Sequence, residues 1–170
     1  MSIAEANETV RADLIDIGKN IDPHYLSFLE SGIAGGSRST FNQYFNALTG
    51  ASGGTPLAGA ADFSGTQFAG LNGMANNYAF GYAITINSSG AFFSGAVGVG
   101  YADKFASDMN KLVGGTLPAQ NFILLHELAH YFQANGYNPN DGNDPRNVAQ
   151  KLNNDLIWKN CANTIQGGVQ

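Results

Sequence analysis

The sequence predicts an α+β fold that is mostly helical, with a small sheet packed on one helix of the last third of the chain. Apolar residues recur every three or four positions near both ends of the chain, as they do in helices. The stretch Tyr82–Asn87 instead alternates in the manner of a strand. We find no internal repeat or linker, so the 170 residues are expected to form one domain, 1–170.

Composition excludes two classes of function. Charged residues make up 12% of the chain, against ~25% in an average soluble domain. Eight scattered Lys and Arg residues and a formal net charge of -5 cannot provide the basic surface that nucleic-acid binding requires. The longest apolar run, near Phe122–Leu125, is far shorter than the ~20 residues that span a bilayer, so we expect no membrane insertion. A single cysteine, Cys161, rules out an intramolecular disulfide.

The balance of residue types is that of an exported protein, rich in Gly, Ala, Ser, Thr and Asn and poor in Lys and Glu. The first residues, Met1–Glu5, lack the basic and apolar regions of a secretory signal. We therefore expect an extracellular or periplasmic location, with the leader absent from this chain. A cytoplasmic location is the alternative.

The first half of the chain is predicted to contain three helices and a long loop. The first twenty residues form an amphipathic helix that stops at Gly18. Two shorter helices, bounded by glycines, cover the apolar clusters Tyr25–Leu29 and Phe41–Leu48. The Gly- and Asn-rich stretch Thr49–Asn77 is predicted to be irregular. The predicted buried face of the first helix comprises Ile3, Ala6, Val10, Leu14 and Ile17.

The second half is predicted to contain one strand and three helices. The strand Tyr82–Asn87 is followed by a turn at Ser88–Gly90 and an extended stretch, Ala91–Phe93. One helix covers Ala102–Val113, and the next begins at Pro118 and continues to Gly136. Asp144 and Pro145 have the form of a helix start, and the final helix runs from there to about Cys161, burying Val148, Leu152 and Leu156.

The helix that begins at Pro118 carries two histidines one turn apart. Because a helix repeats every 3.6 residues, His126 and His130 project from the same face and can bind one metal ion. Glu127 is offset from them by about 100°, which places it beside the ion but not among its ligands. It can therefore take a proton from a metal-activated water. The alternatives are two core histidines or two histidines on a solvated helix face.

This His-Glu-x-x-His helix resembles the signature of the zincin metallopeptidases. The resemblance implies a zincin-like fold, Zn²⁺ as cofactor, a peptide or protein substrate, and zinc metalloendopeptidase activity with Glu127 as general base. It also implies that a strand of the Tyr82–Asn87 type lines the cleft and pairs with extended substrate. An Asp-containing loop after the helix and a last helix ending in Cys161 further resemble a poorly characterised bacterial group.

The resemblance does not specify the third metal ligand. The metzincin extension would require glycine and then His or Asp where the chain has Gln133 and Gly136, and no glutamate follows Glu127 for a thermolysin-like site. The remaining acidic residues are Asp141, Asp144 and Asp155.

Local physical arguments favour Asp141. Asp144 precedes a proline, where its carboxylate suits the backbone amides of a first helical turn. Asp155 stands four residues before Lys159, as in a surface ion pair, although it could face inward beside Leu152. Asp141 has no obvious local partner. Asp155, Asp144 and the absence of a third protein ligand stay as alternatives.

Two further questions stay open in the sequence. Tyr131, Tyr137 or Tyr101 could stabilise an oxyanion, although aromatic packing is the favoured interpretation for each. The alternative function is a catalytically inactive zincin-like module for binding or surface display that keeps its zinc site, with Thr49–Asn77 as the recognition surface. Retention of Glu127 counts against this alternative. A structural zinc site with four protein ligands is a third hypothesis, and the oligomeric state is undetermined.

Overall fold

The computed structural model describes residues 1–33, 36–75, 83–96, 112–139, 141 and 148–166. These residues form five helices and one three-stranded sheet, which confirms the α+β class. The helices are α1 (Ile3–Lys19), α2 (Pro23–Glu30), α3 (Arg38–Thr49), α4 (Leu117–Tyr131) and α5 (Val148–Ile165). The strands are β1 (Ala58–Ala61), β2 (Gly73–Ala75) and β3 (Ile84–Asn87).

Helix α1 forms as predicted, but Gly18 does not end it. A capping box fixes its start, because the Ser2 side chain and the Glu5 side chain each accept a hydrogen bond from the other's backbone N–H. Gly18 lies inside the helix, where an added Cβ would come within 2.5 Å of the Phe45 ring. The glycine therefore allows α3 to pack closely on α1. The buried residues of the helix are Ala6, Val10, Leu14 and Ile17, whereas Ile3 is exposed.

The two predicted short helices are confirmed, each with a cap at its start. The Asp22 carboxylate accepts a hydrogen bond from the backbone N–H of His24 at the beginning of α2. The Ser37 hydroxyl does the same for Thr40 in α3. Helix α3 ends at Gly50, whose φ of 77° is a left-handed conformation that glycine adopts without strain.

The prediction that Thr49–Asn77 is irregular was wrong, because this stretch contains β1 and β2. Strand β1 consists only of Ala and Gly, so it has neither the alternation nor the branched side chains typical of a strand. Its conformation depends on distant partners. It pairs in parallel with β3, and the Asn7 side chain of α1 accepts a hydrogen bond from the Ala60 N–H at 2.6 Å.

Strand β3 is the central strand of the sheet, in the order β1-β3-β2. All four of its residues are buried, and both of its edges are occupied, by parallel β1 and antiparallel β2. It therefore cannot offer a free edge to an extended peptide, which corrects the expectation for the 82–87 strand. Tyr82 itself lies outside the described residues.

The region after β3 differs from the prediction in one place. Ala91–Phe93 forms a turn rather than an extended stretch, since the Phe93 N–H donates to the Gly90 carbonyl at 3.2 Å. Most of the helix predicted for 102–113 lies outside the described residues, and its last two residues, Leu112 and Val113, are not helical.

Helix α4 passes through the core of the molecule. Pro118 lies in its first turn, and all residues from 121 to 129 are buried. The helix ends at Tyr131, five residues before the predicted end at Gly136, and a tight turn with Gly136 at a φ of 81° follows. The sheet contacts this helix mainly through β2.

Helix α5 buries a different face from the one predicted. Val148 and Leu152 are 52% and 57% exposed, and Leu156 is only partly buried. The helix turns a polar pair, Asn153 and Asn154, toward α4 and the loop that follows α4. No helix among the described residues is long and apolar enough to cross a bilayer. The buried residues of α5 are Ala149, Asn153, Asn154, Ile157, Cys161, Thr164 and Ile165.

Candidate metal centre

Helix α4 and the loop after it bring three potential ligands together. His126 and His130 lie one turn apart, with ring centroids separated by 5.0 Å. The Asp141 carboxylate spans the two rings, with Oδ2 at 3.1 Å from Nε2 of His126 and Oδ1 at 3.2 Å from Nε2 of His130. One ligand atom from each residue lies within 4.8 Å of the other two.

The donor set fits a divalent zinc ion. Two imidazole nitrogens and one carboxylate oxygen are the ligands of many zinc sites that keep a fourth position open. At metal–ligand distances of 2.0–2.1 Å, the ligand atoms of a tetrahedral site are about 3.3 Å apart. The separations from Asp141 to the two rings are close to that value, but they involve different oxygens, Oδ2 at 3.1 Å from His126 and Oδ1 at 3.2 Å from His130. The carboxylate would therefore have to turn to place one oxygen against both nitrogens.

The other two candidate ligands are not part of this cluster. Asp155 is exposed on α5 and pairs with Lys151 at 2.9 Å. The ion pair that the sequence suggested does exist, but with Lys151 rather than with Lys159. Asp144 lies outside the described residues.

Burial and charge shift the pKa values of Asp141 and His126 in opposite directions. Burial alone would raise the pKa of Asp141, but hydrogen bonds and charge interactions with His126 and His130 hold this pKa well below its ordinary value. Burial likewise opposes protonation of His126, whose side chain is 2% exposed. The hydrogen bond with Asp141 and the carboxylates of Glu127 and Asp141 nevertheless raise the pKa of His126 above the ordinary value. The Asp141 carboxylate thus stays ionised at neutral pH.

Glu127 lies on the side of α4 that faces β2. It is 3% exposed, and Gly73 of β2 is so close that an added Cβ would be 3.1 Å from both Cγ and Oε1 of Glu127. No described residue forms a hydrogen bond or ion pair with its carboxylate. Burial raises the pKa of Glu127, while His126 and His130 act to lower it. A buried carboxyl with a raised pKa holds a proton more readily than an exposed one.

Two residues of the site were missed by sequence reasoning. The Asn154 side-chain oxygen lies 3.0 Å from Nδ1 of His126, and the Asn153 amide donates to Asp141 at 2.8 Å. Both asparagines are 0% exposed. A sequence pattern did exist, because Asn153 interrupts a stripe of apolar residues four positions apart that includes Ala149, Ile157 and Cys161. A buried amide in such a stripe requires a polar partner.

The tyrosine candidates lie in different surroundings. Tyr137 packs edge-on against both histidines, with centroid distances of 5.4 Å to His126 and 4.6 Å to His130. Tyr131 packs against Tyr44 and Phe132, and Tyr101 lies outside the described residues.

The remaining histidine and the cysteine are not part of the cluster. His24 is exposed near the start of α2. Cys161 is buried in α5, and burial raises the pKa of its thiol to about 12. That thiol therefore stays protonated at neutral pH and does not supply a thiolate ligand.

No known protein family matches the chain, and no curated protein or solved structure is significantly similar to it. The functional conclusions therefore depend on the geometry of the cluster and on the His-Glu-x-x-His helix.

Proposed function

We propose that this protein is a zincin-like metallopeptidase that hydrolyses peptide bonds with zinc as its cofactor. The observation that carries the proposal is the position of Glu127 beside the His126–His130–Asp141 cluster. A structural zinc site has no need of a free, buried carboxyl next to its ligands, whereas hydrolysis requires a base there.

Each residue has a distinct role in the proposed reaction. His126 and His130 would hold the ion through their Nε2 atoms, and Asp141 would add one negative charge to the ligand set. Bound zinc supplies the activation of water and the polarisation of the substrate carbonyl. Glu127 accepts the proton of the attacking water and passes it to the nitrogen of the leaving amine.

Strand β2 is the best candidate for binding the substrate backbone. It runs antiparallel to β3. Gly73 of this strand adjoins Glu127. A peptide lying in an extended conformation along β2 would pass beside the general base. The role that the resemblance assigned to the 82–87 strand is therefore transferred to β2. An extracellular or periplasmic location stays a prediction.

The test compares zinc content and peptidase activity in three proteins. The wild type should contain one zinc per chain and cleave peptides in a mixed library read by mass spectrometry. Glu127→Gln should keep its zinc and lose hydrolysis by about 100-fold or more, as expected on removal of a general base. Glu8→Gln, which changes an exposed carboxyl on α1, should behave as the wild type.

Two results would contradict the proposal. Absence of zinc binding in the wild type would remove the metal centre altogether. Zinc binding without cleavage of any library peptide would favour the inactive binding module.

A further inference from the structure

Two neighbouring asparagines on α5 contact two different members of the cluster. Asn154 meets His126 on the ring nitrogen Nδ1, opposite to the one that faces Asp141, at 3.0 Å. Asn153 meets Asp141 at Oδ2, at 2.8 Å. Both side chains are fully buried. The Asn153 amide is hydrogen-bonded at both ends, whereas Nδ2 of Asn154 has no hydrogen-bond partner among the described residues. One turn of α5 thus supports both the helix and the loop that supply the candidate ligands.

The backbone of Asn138 determines which way the Asn153 amide points. The Asn138 N–H donates to Oδ1 of Asn153 at 2.8 Å, so this end of the amide must be the oxygen. The nitrogen Nδ2 then donates one hydrogen to the Asn138 carbonyl at 2.9 Å and the other to Asp141. The oxygen and both N–H hydrogens of the Asn153 amide therefore have hydrogen-bond partners. In this orientation Asn153 is a hydrogen-bond donor to Asp141.

Position 154, in contrast, must supply a hydrogen-bond acceptor to His126. With Oδ1 of Asn154 as acceptor, Nδ1 of His126 carries a hydrogen. Once Nε2 releases its own hydrogen, which points to Asp141, it has the lone pair that a metal ion needs. Histidine ligands usually have such an acceptor on the second nitrogen, which fixes both the tautomer and the ring orientation.

We propose that Asn153 and Asn154 are positioning residues of the metal centre, the first required as a hydrogen-bond donor to Asp141 and the second as an acceptor from His126. This inference depends on the proposed zinc site. It goes beyond that site by assigning opposite chemical requirements to two adjacent residues of the same type.

The same substitution at the two positions tests the inference. Asn154→Asp keeps the acceptor and adds a negative charge next to the His126 N–H, so zinc affinity should be unchanged or higher. Asn153→Asp places a second carboxylate against Asp141 and the Asn138 carbonyl, so zinc affinity should fall by about 10- to 100-fold. Zinc affinity is measured by competition with a chromophoric chelator, and the visible spectrum of the Co²⁺-loaded protein reports the ligand geometry.

Asn121→Asp serves as the matched control. Asn121 is a buried asparagine on α4 that donates to the Thr164 carbonyl of α5, and it contacts none of the three candidate ligands. Its replacement should lower stability to denaturant and leave the zinc affinity of the folded protein and the Co²⁺ spectrum unchanged. Asn154→Leu, which keeps the branching at Cγ but removes the acceptor, should weaken zinc binding about tenfold.

The possible results distinguish failure of the metal site from failure of the two positioning roles. If the wild type binds neither Zn²⁺ nor Co²⁺, the metal site is refuted. If the wild type binds them but the two Asn→Asp variants lose equal affinity, or neither changes, the positioning roles are wrong and the metal site stands. Should Asn153→Asp fail to fold, Asn153→Ala removes the donor without adding charge, and unchanged affinity in that variant would equally overturn the inference.

Discussion

Gly73 of β2 faces Glu127 of α4, and the two elements can approach this closely because residue 73 has no side chain. A Cβ at Gly73 would lie 3.1 Å from Cγ and Oε1 of Glu127 and 3.0 Å from Cδ1 of Ile86. These separations are shorter than ordinary van der Waals contact. The glycine therefore lets the edge strand approach the proposed general base closely.

Gly73→Ala should displace the Glu127 side chain and lower kcat/KM by about 10- to 100-fold, because displacements of about 1 Å in a catalytic group can cost that much. Zinc content should not change, since Gly73 contacts none of the three candidate ligands. Peptidase kinetics and metal analysis on the same preparation check both points. Gly70→Ala is the control, as a Cβ there meets nothing within 4 Å. Equal activity in the two variants would show that the contact is irrelevant to catalysis.

Asp141→Asn should reduce zinc affinity by about 100-fold or more, because the variant loses the only negative charge in the proposed ligand set. Asp155→Asn should retain full affinity, since Asp155 is paired with Lys151 at the surface. Elemental analysis after dialysis, followed by chelator competition, measures both. Loss of zinc only in the Asp155 variant would show that Asp155, and not Asp141, is the third metal ligand.

Asp13→Asn should stabilise the protein at pH 8 but not at pH 4. Burial first, and then the nearby Asp16, raises the pKa of Asp13 to about 6, and its Oδ2 is buried without a hydrogen bond. The pKa of Asp13 is higher in the folded state than in the unfolded state, where it is ~3.9. The free energy of unfolding therefore falls as the pH rises from the unfolded-state pKa through the folded-state pKa. Allowing for partial exposure, we expect a gain of about 1 kcal/mol in the free energy of unfolding at pH 8.

Urea denaturation at the two pH values measures this difference. Glu8→Gln removes an exposed carboxyl from the same helix and should leave the free energy of unfolding nearly unchanged at both. A stabilisation by Asp13→Asn that is the same at pH 4 and pH 8 would rule out the ionisation of Asp13 as its cause.

Gly18→Ala should destabilise the protein, although alanine is the better helix former. The gain in helix propensity is about 1 kcal/mol, whereas forcing a methyl group into a packed core costs about 1–3 kcal/mol. The Phe45 ring that it would meet is stacked on Phe41, with centroids 5.5 Å apart, so it has little freedom to move. Thermal unfolding should therefore show a lower Tm.

The double variant Gly18→Ala/Phe45→Leu provides the check on that explanation. Gly18→Ala should destabilise the Phe45→Leu variant less than it destabilises the wild type. An equal loss of stability in both proteins would show that the contact with Phe45 is not the cause.

The parts of the site that lie close together in the chain could be predicted from sequence. His126, Glu127 and His130 occupy one helix, and the helical repeat alone sets their relative directions. Asp141 follows eleven residues after His130, in a loop that the tertiary structure folds back onto the helix. Elimination among three aspartates favours Asp141, and only the structure shows its carboxylate against both rings.

The parts that depend on distant partners could not be predicted. Strand β1 is a run of Ala and Gly that becomes a strand because α1 and β3 flank it. The buried face of α5 combines apolar residues such as Ile157 and Cys161 with two asparagines that hydrogen-bond to His126 and Asp141, whereas the sequence prediction chose Val148, Leu152 and Leu156.

The sequence by itself determined the α+β class, the first three helices and the pair of histidines with their neighbouring glutamate, because helical periodicity and capping are local properties of the chain. Only the tertiary structure decided which strand lies at the edge beside Glu127 and which amides support the cluster. Those outcomes depend on burial and hydrogen bonding between residues far apart in the chain, such as Gly73 and Glu127. The local spacing of residues in the sequence does not predict such contacts.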